Sequence, residues 1–189
     1  QAKNPLTESA LLNLKNNFGY PHSKILGEEQ CKKFANEFDM KISIIRADNT
    51  FGPRDNFSSS SRVIPALIKK ILLADKTIEV WGTGNQIRTF IFVKDLVRGL
   101  LLGLEKYPSA EPINLSSDEK LSIKSLVELI IRLTNKNYLE IQFDTKKPEG
   151  DLERCLDISK ARTLLNFIPK WTLKQGMLDT INWMKEQKL

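Results

Sequence analysis

Short β-branched runs alternate with longer amphipathic segments along this 189-residue chain, and no other feature constrains its fold as strongly. Strands are predicted at Ile42–Arg46, Thr77–Trp81, Thr89–Val93, Pro112–Leu115 and Leu139–Phe143. Helical periodicity predicts helices over Ser23–Phe38, Val63–Leu73, Ile158–Leu165 and Leu173–Glu186, with two more ending near Leu104 and Leu133. In the first of these, Ile25, Leu26, Cys31, Phe34, Ala35 and Phe38 share one face. Asp95 and Ser122 are the expected N-caps of the helices that end near Leu104 and Leu133. The segment from Asn49 through Gly52-Pro53 reads as a loop. Alternation of this kind implies an α/β layer architecture with parallel strand pairing. The largely apolar run Ile42-Ser43-Ile44-Ile45 is the pattern of a strand covered on both faces, so the sheet is expected to be larger than these strands supply.

Composition narrows the class of function. With 41% hydrophobic residues the chain can bury a core, and its length suits one domain or one domain with a small lobe. The net charge of +6 would suit a nucleic acid, but the lysines are interspersed with glutamates and cluster only in pairs such as Lys32-Lys33 and Lys69-Lys70. No nucleic-acid partner is expected; a modest positive field instead favours a small anion. Cys31 and Cys155 are far apart and without metal-ligand spacing, so both read as reduced thiols and no metal site is expected. The longest apolar run, Leu96–Leu104, is broken by Arg98 and is too short to span a bilayer. A soluble cytoplasmic protein with no membrane partner is expected. The start at Gln1, in a polar stretch, reads as a cut, or as a chain that begins mid-fold.

Three segments carry residues suited to chemistry. Tyr20 and Lys24 are one helical turn apart and so share a face, where an ammonium can lower a phenol's pKa and make it a usable acid or base. The segment Arg46–Phe57 begins at a strand's carboxyl end, where open α/β sheets bind ligands, and presents Asn49; a turn rich in Asn, Gly and Pro would use the same residue types. Val80–Phe90 joins the turn Gly82-Thr83-Gly84 to Arg88, which suits backbone approach and a forked donor for phosphate, or equally a hairpin with an exposed arginine.

Taken in order, Tyr20-x-x-x-Lys24, Arg46-x-x-Asn49-x-x-Gly52-Pro53, Val63-Ile64-Pro65, Trp81-Gly82-Thr83-Gly84 with Arg88, Val93-x-Asp95, Ile113-Asn114-Leu115 and Pro148-x-Gly150-Asp151-x-x-Arg154 resemble the extended short-chain dehydrogenase/reductase family. The resemblance is to its NAD-dependent epimerase/dehydratases, with a flavour of GDP-L-fucose synthases, and covers essentially the whole chain. It implies the C-terminal part of a Rossmann-like doubly wound sheet plus a small α/β substrate-binding lobe. Residues 1–56 would be the remnant of the dinucleotide-binding domain, and 57–189 mostly the lobe, with 89–117 returning to the sheet. By the same resemblance Tyr20 would be the catalytic acid/base, and Lys24 would hold the nicotinamide ribose and keep the phenol acidic. The backbone at Ala47 would face the nicotinamide. Asn49 would touch the substrate diphosphate, Arg88 and Arg154 would clamp it, and Val63 and Val80 would line the base pocket.

Three departures shape the expected activity. No G-x-x-G-x-x-G turn occurs in the sequence. The Ser or Thr that partners the tyrosine in the family lies upstream of the matching region, and Arg62 stands where fucose synthases carry a histidine. The resemblance therefore implies the nucleotide-sugar side of a 4-epimerase, 4,6-dehydratase or 4-reductase, dependent on NAD or NADP but neither binding the cofactor nor turning over by itself. Two other readings are a non-catalytic nucleotide-sugar-binding or dimerisation module, and one half of a two-chain enzyme. The resemblance implies a homo-oligomer, a dimer, through residues Ile25–Phe38 and Pro65–Leu73, and the uncovered faces of a partial sheet also favour self-association.

Overall fold

The computed structural model describes residues 4–10, 19–58 and 62–187. In chain order its elements are α1 (Tyr20–Phe38), β1 (Ile42–Ala47), β2 (Asn49–Phe51), α2 (Val63–Leu73), β3 (Thr77–Trp81), β4 (Ile87–Arg88) and β5 (Phe90–Phe92). There follow α3 (Val93–Lys106), β6 (Ser109–Leu115), β7 (Leu121–Ser122), α4 (Ile123–Leu133), β8 (Glu140–Asp144), β9 (Glu153–Arg154), α5 (Ser159–Leu165) and α6 (Leu173–Glu186). The fold is α/β with mostly parallel pairing, as the alternation implies.

The helix α1 stops at Asp39, which takes a left-handed conformation (φ 51). The short link that follows forces α1 to run back along β1. Tyr20, first in the helix, therefore lies at the same end of the sheet as Ala47, last in the strand. β1 pairs in parallel with β6, with Ile45 opposite Ile113 and Ala47 opposite Leu115. Alternation along β1 sends Arg46 to α1, where it pairs with Glu28, and sends Ser43 and Ile45 to α3. There α3 lies so close that a side chain at Gly103 would meet Ser43 Oγ at 2.5 Å. Among the described residues, the other edge of β1 carries no strand.

Beyond this sheet, β2 pairs in parallel with β5, and β3 with β8. β4 lies between β7 (antiparallel) and β9 (parallel). Two cores result. The larger gathers Ile68 and Ile71 of α2, Leu126 and Ile130 of α4, Met177 and Ile181 of α6, and Phe51 and Phe92. The smaller gathers Ile91, Ile113, Leu115, Leu165 and Phe167 between β6, α3 and α5.

Several local expectations need correction. Asn49–Phe51 is a strand, not a loop, because Phe51 is buried against Phe90 and Phe92 and the pairing to β5 extends back to Asn49. The segment 80–90 is no hairpin, since β3 and β4 pair with different partners. The helix α3 starts at Val93 with Phe92 as its N-cap, so Asp95 does not cap it. Asp95 is instead buried, accepting from the backbone N–H groups of Lys170 and Trp171 and from Arg98, and it pins the 168–171 segment to α3. Ser122 does cap α4, accepting from the Ser125 N–H at 3.0 Å.

Candidate functional site

Tyr20 and Lys24 share a face of α1, with the Lys24 ammonium 5.0 Å from the centroid of the Tyr20 ring. The ammonium thus lies over the ring, a cation–π arrangement. Tyr20 is 75% exposed, and its phenol stands in solvent at the carboxyl end of β1. Pro21 fits the first turn, and Ser23 ties it down by donating to the Tyr20 carbonyl at 2.7 Å. Ala47, at the same end of the sheet, is exposed.

Arg46, one residue earlier, does not face a ligand. Its guanidinium donates twice to Glu28 at 2.8 Å and once to the Glu8 carbonyl at 2.8 Å, a forked contact that bolts α1 to β1. The Glu28 carboxylate holds its pKa above the usual arginine value.

Immediately after β1 stands Asp48, which lies within the Arg46–Phe57 segment but is not among its expected site residues. Its Oδ2 accepts from the hydroxyls of Thr89 and, at 2.5 Å, Ser116. Its Oδ1 accepts from the Asn49 backbone N–H at 2.7 Å and from the Asn49 amide nitrogen at 3.1 Å. Burial pushes the carboxyl up from its ordinary pKa, against the pull of these donors and of the Arg154 charge. One carboxylate therefore joins the ends of β1, β2 and β6 to the residue between β4 and β5. Nothing local in the sequence marks this hub, because Thr89 and Ser116 lie 41 and 68 positions from Asp48.

Asn49 is exposed, and its amide nitrogen donates both to Asp48 and, at 3.2 Å, to the Thr89 carbonyl. It lines a cleft of about 120 Å³ with Thr50, Arg62, Val63, Pro65 and Phe90. Arg62 is paired to Asp55 at 3.0 Å on the rim. Arg88 and Arg154 are register partners on the parallel strands β4 and β9, which puts two guanidinium stems side by side on one face. The Val80 side chain is buried in the larger core, while the neighbouring Glu79 and Trp81 are exposed.

The turn Gly82-Thr83-Gly84 is already filled. Glu149 accepts from the Thr83 N–H at 3.1 Å and from the Thr83 hydroxyl, so its carboxylate takes the place a phosphate oxygen would occupy. A cavity of about 520 Å³ lies between α2 and β3 against Lys69, Lys70, Leu73 and Glu79, and contains none of the predicted site residues. Its two lysines are engaged by the carbonyls of Phe57 and Glu79. The predicted residues gather elsewhere, with Arg88 beside Arg154 in register and the Arg154 charge acting on Asp48 next to Asn49. Among the described residues no His, Cys, Asp or Glu group could hold a metal, and no helix is long and apolar enough to cross a membrane.

Comparison with known proteins follows this geometry. The NAD dependent epimerase/dehydratase family matches over residues 1–116. A dTDP-4-dehydro-6-deoxy-D-allose reductase from a Streptomyces species is 34% identical, over 90% of this chain and 51% of that protein. A probable GDP-L-fucose synthase 1 of Oryza sativa subsp. japonica is 30% identical, over 98% of this chain and 58% of its own length. A crystal structure of a GDP-L-fucose synthetase from Naegleria fowleri bound to NADP superposes with a TM-score of 0.84 at 28% identity, over 98% of this chain and 62% of that one. The chain thus spans about half the length of the curated relatives it matches.

Proposed function

The chain belongs to the NAD dependent epimerase/dehydratase family, and we propose that its residues form the nucleotide-sugar-binding side of an NAD(P)-dependent epimerase, dehydratase or reductase. The observation that carries this reading is the cross-strand pair Arg88 and Arg154, with Arg154 close enough to the Asn49–Asp48 cluster to act on the Asp48 carboxylate. Two forked cations on adjacent strands suit a diphosphate, which offers several acceptor oxygens to parallel donors. Val63 and the backbone at Val80 would flank the base, and Asn49 would contact the ligand from the cleft.

Tyr20 would take or give the proton of a sugar hydroxyl, with Lys24 on the same helical face to hold the nicotinamide ribose and the Ala47 backbone beside the ring. NAD or NADP, when bound, supplies or accepts the hydride. The exposed Tyr20–Lys24 face and Ala47 fit the nicotinamide end of such a cofactor. Its pyrophosphate needs a glycine-rich βα turn, and the sequence contains no G-x-x-G-x-x-G pattern. We therefore expect these residues alone to bind a nucleotide-sugar but not NAD(P), and not to turn over. Residues 1–56 would belong to the dinucleotide side and 57–189 to the lobe, with 89–117 returning to the sheet.

Self-association is part of the proposal, with a revised surface. The α2 residues Pro65, Leu67, Ile68 and Ile71 are consumed by the chain's own core, so Pro65–Leu73 is poorly suited to a partner. Leu26, Phe34 and Phe38 of α1 are exposed and apolar, and favour a dimer through α1. A non-catalytic binding or assembly module is the second reading, favoured by that same uncovered face. Isothermal titration with UDP-, GDP-, CDP- and dTDP-sugars and with NAD separates the readings. Micromolar binding of one nucleotide class without NAD binding is the expected result. Tight NAD binding by this polypeptide, or no nucleotide binding at all, overturns the proposal.

A further inference from the structure

We propose that Asp48 is a positioning residue that turns the Asn49 side chain oxygen outward, so that Asn49 accepts a hydrogen bond from a sugar hydroxyl and does not donate to the diphosphate. The inference rests on the nucleotide-sugar reading and refines which part of the ligand each side chain meets.

A primary amide has two N–H donors and one carbonyl acceptor. At Asn49 both donors face acceptors of the protein itself, Asp48 Oδ1 at 3.1 Å and the Thr89 carbonyl at 3.2 Å. Turned over, the amide would set its oxygen against a carboxylate and a carbonyl, two acceptors, so the neighbours fix the orientation. The backbone N–H of Asn49 is also spent on Asp48. Asn49 consequently offers an incoming ligand only an oxygen. A phosphate oxygen is an acceptor and gains nothing there, and the Asp48 carboxylate directly behind repels its charge. A hydroxyl is a donor and fits.

Asp48 is itself held in place. The hydroxyls of Thr89 and Ser116 both donate to its Oδ2, leaving Oδ1 aimed at Asn49. The polarity of the site then divides along its length. Arg88 and Arg154 take the anionic diphosphate, and Asn49 takes the polyhydroxyl end.

The test compares each free nucleotide diphosphate with its sugar conjugate: UDP with UDP-glucose, GDP with GDP-mannose, and dTDP with dTDP-glucose. Asn49→Ala is expected to weaken binding of the conjugate about fivefold to tenfold and to leave the free diphosphate within about twofold. Asp48→Asn keeps an oxygen toward Asn49 while its amide donates to the two hydroxyls, and should preserve that selectivity. Asp48→Ala frees the Asn49 amide and should erase the preference for the conjugate, a change of ratio that mere loss of stability would not produce. A ligand-free measurement stands beside these. The side-chain amide protons of Asn49 should exchange slowly with solvent by NMR in wild type and Asp48→Asn. Fast exchange in wild type overturns the inference, as does equal weakening of conjugate and free diphosphate by Asn49→Ala, and in both cases the nucleotide-sugar reading survives. If wild type binds none of the six nucleotides, that reading falls and this inference with it.

Discussion

The lobe built on α2, α4 and α6 and the flank built on α1 and β1 come from one chain and are held together by different physics. Each lobe helix buries an apolar stripe: Ile64, Leu67, Ile68 and Ile71 in α2, Leu126, Val127, Ile130 and Ile131 in α4, Met177, Ile181 and Met184 in α6. The helix α1, longer than any of them at 19 residues, buries none. In β1 only Ile44 is buried. What joins α1 to the sheet is chiefly polar: the Arg46 fork on Glu28, and Lys32 to Glu111 at 3.2 Å. A hydrophobic stripe thus stabilises only where something covers it, and the lobe closes its own while the flank does not.

The sharpest way to break that contrast is to truncate one side chain on each side. Ile130 is fully buried, and Ile130→Ala is expected to cost roughly 2–5 kcal/mol through lost burial plus a residual cavity. Phe34 is 50% exposed and stacks on Phe38 at 5.4 Å, so Phe34→Ala should stay within about 0.5 kcal/mol. Urea unfolding of both variants measures the difference. A large cost at Phe34 would mean that a second copy covers α1 in solution, and the cost would then grow with protein concentration.

The second contrast concerns how polar groups act in the two regions. Asp95 lies between α3 and the segment leading to α6, with its side chain 2% exposed beside Arg98 at 2.7 Å. Asp95→Ala strands the Lys170 and Trp171 N–H groups and the arginine together, and about 3 kcal/mol of stability should go with it. Arg46 is half-exposed, so Arg46→Ala should cost less, about 1–2 kcal/mol, and should loosen α1 selectively. Hydrogen exchange would show this as faster exchange over Tyr20–Phe38 with the lobe unchanged. Uniformly faster exchange would show that flank and lobe unfold as one unit.

How much of this was legible in the residues follows the same divide. Helices whose stripe is buried announced themselves with correct bounds, as at Val63–Leu73 and Leu173–Glu186. The short strands β2, β7 and β9 did not, because their pairing is tertiary and a few residues carry no periodicity of their own. Asp95 looked like a cap since an acidic residue near a helix start is normally read locally, whereas its backbone donors lie 75 and 76 positions along the chain. In the site, the pairing of Tyr20 with Lys24 was readable from spacing alone. The Asp48 hub was not, because its donors Thr89 and Ser116 are 41 and 68 positions away, brought to it only by the strand order. The occupation of the Gly82–Gly84 turn by Glu149 was hidden for the same reason.

The smallest expected effect is one of slope. Asp48 and Asp157 are both aspartates near the site, and their surroundings move them in opposite directions. Burial raises the Asp48 pKa, so the folded state holds its proton more tightly than the unfolded chain does. Its contribution to stability is therefore complete below the ordinary carboxylate range, near pH 4, and is lost as pH rises through the raised value. At Asp157 the hydroxyl and N–H of Ser159 stabilise the carboxylate and lower its pKa. That contribution is present above about pH 4 and is lost as pH falls through the lowered value. Urea unfolding across acid to neutral pH should then give opposite trends. Relative to wild type, Asp48→Asn should gain stability as pH rises, and Asp157→Asn should lose its penalty as pH falls. Parallel curves for the two variants would mean that Asp48 is not desolvated, and the strand ends it joins would then be open to water as the α1 flank is.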